Sequence, residues 1–274
     1  MSDCSGDYFI MNGSLLQIKE FDTCFLPNRN YIYEVFRIID NIPLFIEDHI
    51  ERFFQTMLLA DEQELMDRQA LLKDISLLIR QNNGGDGNIK IAIQTEESGS
   101  KNLLLYFTPH QYPSNEQFIS GVAVDLLHAE RHNPTAKVMD VPLRAQADML
   151  KQKADVYEML LVDKEGFITE GSRSNVFFIK DRSVITPPLN CALPGITQKH
   201  IIKICRDNNI TLTESKIHTN QLNSIDALFI SGTSRKVLPV NRVGELVFDV
   251  DNQLLKQIQT LFNQHVADYI QQRK

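Results

Sequence analysis

The sequence predicts a two-domain α+β protein with a small N-terminal α/β domain and a larger, β-rich C-terminal domain. Three observations carry that expectation. Strand-like apolar runs and helix-spaced apolar sets are mixed and segregated rather than strictly alternating, which favours α+β over a regular parallel sheet. Pro109 to Glu116, with two prolines, breaks the pattern and reads as a connection, giving domains over 1–112 and 118–274. With 274 residues, 43% hydrophobic and 8% aromatic, the chain can bury one large or two smaller cores.

The elements follow in order. Tyr8 to Ile18 reads as a β-hairpin turning at Asn12-Gly13, since a two-residue type I′ turn needs positive φ at both positions and Asn-Gly tolerates it. Tyr31–Ile39 and Ile42–Ile46, rich in β-branched and aromatic residues and separated by Asp40-Asn41, form a second strand pair. Then the period changes. Ile50, Phe53, Phe54, Met57 and Leu58 make one apolar helical face, and a second helix spans about Glu64–Gln81. The glycine-rich stretch Asn82 to Asn88 lacks the Lys-Ser/Thr of a phosphate loop and the strand-before, helix-after setting of a dinucleotide turn, so it reads as a surface turn. Strands at Ile89–Thr95 and Leu103–Thr108 close the first domain.

In the second domain, Val122–His128, Tyr157–Val162, Phe167–Thr169, Val176–Ile179, Val184–Thr186 and the region of Leu228–Ser231 read as strands. Pro142–Ala154, Ile196–Asp207 and the amphipathic Leu254–Ile270 read as helices.

Composition narrows the function. Lys and Arg number 28 against 35 Asp and Glu, for a net charge of −7, which argues against a nucleic-acid or anionic-membrane partner. No apolar run approaches the ~20 residues of a membrane span. Met1–Tyr8 carries two Asp, no Lys or Arg and no apolar core, unlike a secretory signal. Cys4, Cys24, Cys191 and Cys205 are scattered without metal or disulfide spacing, and the seven histidines form no metal pattern. Glu130-Arg131-His132 reads as a polar strand end. A reducing cytoplasm is the expected setting.

Lys137, in Asn133-Pro134-Thr135-Ala136-Lys137-Val138-Met139-Asp140, lies between a strand and a helix. It is either a solvated loop lysine or a Schiff-base lysine whose surroundings lower its basicity, and spacing alone does not choose. Its company does. Tyr157-Glu158 and then Thr169-Glu170-Gly171-Ser172-Arg173-Ser174-Asn175 follow. This resembles the signature of the fold-type IV, or class IV aminotransferase, family of pyridoxal-phosphate enzymes, which includes D-amino-acid and branched-chain aminotransferases and 4-amino-4-deoxychorismate lyase. The early Asn-Gly hairpin, Tyr33-Glu34, His49-Ile50-Glu51-Arg52, Leu193-Pro194-Gly195-Ile196-Thr197 and Phe229-Ile230-Ser231-Gly232-Thr233-Ser234 recur in the family's order.

The resemblance implies a pyridoxal 5′-phosphate enzyme that transfers an amino group between a small amino acid and a 2-oxo acid. It implies Lys137 as the catalytic lysine, Glu170 as the carboxylate at the pyridine nitrogen and Arg52 as the phosphate arginine. Ile196 and Thr197 would offer helix N-terminal amides to the phosphate; Gly232 and Thr233, with Ser234 beside them, would complete its cradle. A homodimer is implied as well.

The chain departs from its relatives on the substrate side. Their Gly-Asp-Gly is replaced by Arg29-Asn30-Tyr31, and no arginine or histidine follows the strand ending Gln94-Thr95-Glu96-Glu97. Pro134-Thr135-Ala136 stands before the lysine where the branched-chain branch has a tyrosine and glycine, and Lys137-Val138-Met139-Asp140-Val141 lacks the lyase pattern. Tyr33 and Arg173 are the candidate substrate-side residues. The alternatives to transfer are a lyase releasing pyruvate and a non-catalytic family member.

Overall fold

The computed structural model describes residues 3–25, 30–62, 65–96 and 98–274; Arg29, Glu64 and Glu97, named above, lie outside them. The chain divides into two compact units: Met1–Gln111 with Ala136–Val141 and Asp268–Lys274, and Tyr112–Thr135 with Pro142–Ala267.

In the first unit, Tyr8–Met11 (β1) and Ser14–Gln17 (β2) form the expected hairpin, with Asn12 and Gly13 both at positive φ. Phe21–Cys24 is a single helical turn (α1). Ile32–Ile39 (β3) and Ile42–Pro43 (β4) turn at Asp40 and Asn41, also both at positive φ. The second strand is shorter than expected because Pro43 has no N–H for the ladder and Ile46–Leu59 (α2) begins three residues later. Arg68–Gln81 (α3) starts later than the apolar period suggested, where the Asp67 carboxylate accepts from Ala70 N at 2.8 Å. Gly87–Thr95 (β5) and Lys101–Thr108 (β6) complete a six-stranded sheet of order β2-β1-β6-β5-β3-β4.

Each face of this sheet has its own core. Phe36, Ile38, Ile89 and Ile91 pack against Phe53, Met57, Leu71 and Leu78 of α2 and α3. On the other face Phe9, Phe21, Phe25, Tyr31, Tyr33 and Tyr106 form an aromatic cluster. The period of two along each strand sends alternate residues to the two cores.

In the second unit, Ser114 and Gln117 form a capping box that makes Asn115–Ser120 helical (α4), so the connection ends earlier than its prolines suggested. There follow Val122–His128 (β7), Val141–Ala154 (α5), Glu158–Val162 (β8), Phe167–Gly171 (β9), Asn175–Lys180 (β10), Ser183–Thr186 (β11) and Ile196–Asp207 (α6). Leu212–Glu214 (β12), Ile217–His218 (β13), Ala227–Gly232 (β14), Lys236–Val243 (β15), Leu246–Val247 (β16) and Gln253–Gln271 (α7) complete the chain. The sheet runs β12-β11-β10-β14-β15-β7-β8-β9-β13, with β16 beside β15. Val176, Phe178, Leu228, Ile230 and Leu238 face one core, while Phe177 and Phe229 stack at 4.8 Å on the opposite face.

Candidate active site

The first unit gathers its candidate residues on β3. Tyr33 and Glu34 are consecutive and point to opposite faces. Glu34 is fully buried and meets α2, where Arg52 donates Nε to Oε2 at 2.8 Å and Nη2 to Oε1 at 2.6 Å. His49, three residues before Arg52 on the same helical face, contacts Oε1 through Nδ1 at 3.0 Å. Burial alone would raise the Glu34 carboxyl, but Arg52 and His49 together hold it well below the usual carboxylate range. Burial outweighs the pull of Glu34 on His49 and lowers the imidazole; since a carboxylate only accepts, Nδ1 carries the proton. The two-point bond to Glu34 fixes the plane of the guanidinium.

Lys137 runs along the side of β3 away from β5. Tyr33 N donates to Lys137 O at 3.1 Å, Met139 N donates to Tyr31 O at 2.8 Å, and Val138 bridges Ile32. Lys137 N donates to Thr56 Oγ1 at 3.3 Å. The lysine thus lies beside an isolated bridge to β3, bonded through its backbone, and its Nζ stands 4.7 Å from the Tyr33 ring centroid. Tyr33, Arg52 and Lys137 therefore belong to one unit, with Arg52 on the Glu34 side of β3 and the Lys137 amine at the Tyr33 ring.

The second unit brings the rest together. Glu170, at the end of β9, is 4% exposed. Its Oε2 accepts from Leu193 N at 3.1 Å, and Arg131 Nε stands 3.5 Å from its Oε1. The Arg131 side chain is 9% exposed, and its Nη1 is buried without a hydrogen-bond partner among the described residues. This corrects the polar strand-end reading of Glu130-Arg131-His132: β7 ends at His128, and the chain then turns Arg131 inward to a buried carboxylate. Its charged neighbours gave no signal of that. An open pocket lined by Arg131, Pro134, Thr169, Glu170, Cys191 and Lys216 adjoins the pair.

Asn175, the last residue of the Glu-Gly-Ser-x-Ser-Asn motif, donates Nδ2 to Leu193 O at 2.8 Å and so seats the start of α6. A Cβ on Gly195 would run into the Asn175 amide. Gly195 N donates to Gln198 Oε1 at 3.1 Å, and Ile196 and Thr197 are buried in the first helical turn. Glu158, 1% exposed, is a buried carboxylate that the motif's spacing does not reveal. It accepts from Ser172 Oγ and from Ser174 Oγ at 3.3 Å, and forms an ion pair with Arg235 Nη2 at 3.1 Å. It thereby joins the motif to the turn Thr233–Arg235 between β14 and β15. A Cβ on Gly232 would meet nothing closer than Arg173 O at 3.6 Å. The chain's own packing does not demand glycine there. Arg173 turns its guanidinium to Asp148 on α5.

These residues fit a phosphorylated pyridine. A buried carboxylate backed by a guanidinium suits a protonated ring nitrogen, a helix start suits a phosphate, and a strand-pinned lysine supplies an amine. Fold and site together define a chain of the fold-type IV kind. The model of the family Amino-transferase class IV matches residues 31–243. The D-alanine aminotransferase of Bacillus licheniformis is 24% identical over 85% of this chain and 87% of its own length. A putative branched-chain-amino-acid aminotransferase of Methanocaldococcus jannaschii is 23% identical over 82% and 80%. Among solved structures, the branched-chain amino acid aminotransferase of Escherichia coli superimposes with a TM-score of 0.82, at 21% identity, over 96% of this chain and 95% of that one. A putative 4-amino-4-deoxychorismate lyase from Legionella pneumophila gives 0.77 at 17%, over 85% and 90%. The chain belongs to the class IV aminotransferase family. Its cofactor is accordingly pyridoxal 5′-phosphate, and its reaction amino-group transfer.

Proposed function

We propose that this enzyme transfers an amino group between a small amino acid and a 2-oxo acid, with Lys137 as the catalytic lysine. The observation that carries this reading is the fixing of the Lys137 segment beside β3: three hydrogen bonds hold its backbone, and its amine stands at the Tyr33 ring in the unit that contains Arg52. Relatives named for D-alanine and branched-chain amino acids support a small substrate.

Bound pyridoxal phosphate supplies the aldehyde and the electron-withdrawing ring. Lys137 Nζ would be the amine that holds it and the group that moves the proton at the substrate Cα. Glu170 would be the acceptor for a protonated ring nitrogen, and Arg131 and Leu193 N aim its carboxylate. The amides of Ile196 and Thr197, the cradle of Gly232 and Thr233, and Arg52 would hold the phosphate. The Tyr33 ring faces the amine as a candidate pocket residue. Arg173, already paired with Asp148, stands at the outer edge of the motif as a substrate-side residue. The same reading takes the enzyme as a cytoplasmic homodimer; four free cysteines support the reducing compartment.

Borohydride reduction of the holoenzyme, followed by peptide mapping, tests the lysine. The expected label falls on the peptide containing Lys137 and is lost in Lys137→Ala; a label elsewhere refutes the assignment. Conversion of the bound cofactor to its amine form by a small amino acid marks transfer, whereas pyruvate release without a keto acceptor marks the lyase.

A further inference from the structure

Helix α2 carries Arg52 and, one turn on, Thr56; the first is bonded to the Glu34 carboxylate and the second to Lys137 N. The placement of this one helix therefore sets both the arginine and the seat of the lysine. Yet α2 begins without a cap of its own. Its N-cap residue is Phe45, whose side chain has no acceptor, and Phe45 sits at φ 53°, a region that bulky residues enter only where their surroundings fix them. The cap comes instead from the far end of the chain. Tyr269, on the last turn of α7, accepts at Oη from Ile46 N, the first amide of α2, at 3.1 Å. The same hydroxyl donates to Glu47 Oε2 at 2.8 Å, with Pro43 O 3.4 Å away.

Charge closes the clasp. The Arg273 guanidinium lies 3.6 Å over the Tyr269 ring centroid and donates Nη2 to Glu47 Oε1 at 2.8 Å. Lys274 pairs with Asp40, in the turn between β3 and β4, at 2.7 Å. Burial, and then the bond to Glu47, push the Tyr269 phenol up, so it keeps its proton and remains a donor. One side chain thus does three things: its ring, edge-on to Phe45 at 4.8 Å, covers the strained residue, its oxygen caps Ile46, and its proton binds Glu47. All of these residues belong to the first unit. Arg52 lies less than two turns beyond Ile46, about 9 Å along the axis, so fraying of an uncapped start reaches the turn that aims its guanidinium.

We propose that Tyr269 is a positioning residue for the cofactor phosphate: by capping α2 from the C-terminus, its hydroxyl holds Arg52 where the guanidinium meets that group. This rests on the assignment of Arg52 to the phosphate above. Asp268–Lys274 then serve cofactor binding as well as packing.

Absorbance titrations of the full chain compare pyridoxal 5′-phosphate with pyridoxal, which has the same ring and aldehyde but no phosphate. In Tyr269→Phe, which keeps the ring and removes the hydroxyl, the Kd of the phosphate ester is expected to rise about threefold to tenfold, the scale of one net hydrogen bond, while that of pyridoxal stays unchanged. Arg52→Lys raises the same ratio, and adding Tyr269→Phe to it raises the ratio no further, because the tyrosine acts through the arginine. The phosphorus NMR resonance of the bound cofactor gives a second reading and is expected to shift or broaden in both single variants. Arg273→Met, which opens the clasp at the surface, moves the ratio in the same direction. A purely structural tie predicts instead a lower urea midpoint with both Kd values unchanged or raised equally, and either result overturns the proposal. If Arg52→Lys leaves the ratio unchanged, the Arg52 assignment fails and takes this inference with it; if Arg52→Lys raises it and Tyr269→Phe does not, this inference fails alone.

Discussion

Glu34 has no route to water, and its charge is tolerable only because Arg52 and His49 answer it. Replacing it with Gln leaves a buried guanidinium without its anion. Loss of one partner of such a pair costs about 3–5 kcal/mol, read as a fall in the urea midpoint at pH 7. The pH dependence has a definite sign. The folded Glu34 carboxyl titrates below its unfolded counterpart, so its contribution is full above about pH 4.3 and is lost as pH falls further. His49 is also lowered in the fold, so the unfolded chain takes up its proton first and stability begins to fall below about pH 6.5. The wild type should show both losses on acid titration, and Glu34→Gln should lack the lower one. Single residues were unevenly legible in the sequence. His49-x-x-Arg52 stood out because helical spacing puts both on one face. Arg131 did not, because inward burial of a lone cation leaves no periodic trace.

At the scale of elements, Asn12-Gly13 and the apolar spacing of Ile50, Phe53 and Met57 announced their structures because turn chemistry and period are local properties. The strand Lys236–Val243 was hidden by Pro239, which ordinarily argues against an interior strand. It is accommodated because only β14 pairs with the chain there, while pairing to β7 begins at Val240. The start of α6 depends on a contact no local pattern contains: Asn175 against Gly195. Gly195→Ala should push the helix start away from the motif. The expected result is a loss of stability of about 1–3 kcal/mol, together with weaker pyridoxal phosphate binding in an absorbance titration. Tight binding with unchanged stability would show that Asn175 yields freely.

For the whole molecule, the proposed homodimer predicts a light-scattering mass of twice 31.4 kDa for the holoenzyme; the mass of one chain would reject it. The overall α+β class was readable from segregated periods, but the path of the chain was not. Ala136–Val141 and Asp268–Lys274 count with the first unit although most of the second lies between them in sequence. Tyr269 sets its ring 4.8 Å from that of Phe45 and its hydroxyl 2.8 Å from Glu47, which also pairs with Arg273 at 2.8 Å. On the ribosome, the first unit therefore cannot finish folding when residue 111 emerges. It must wait for Ala136–Val141 to cover the open side of β3, and then, with Phe45 still uncovered, until nearly the whole chain has been translated.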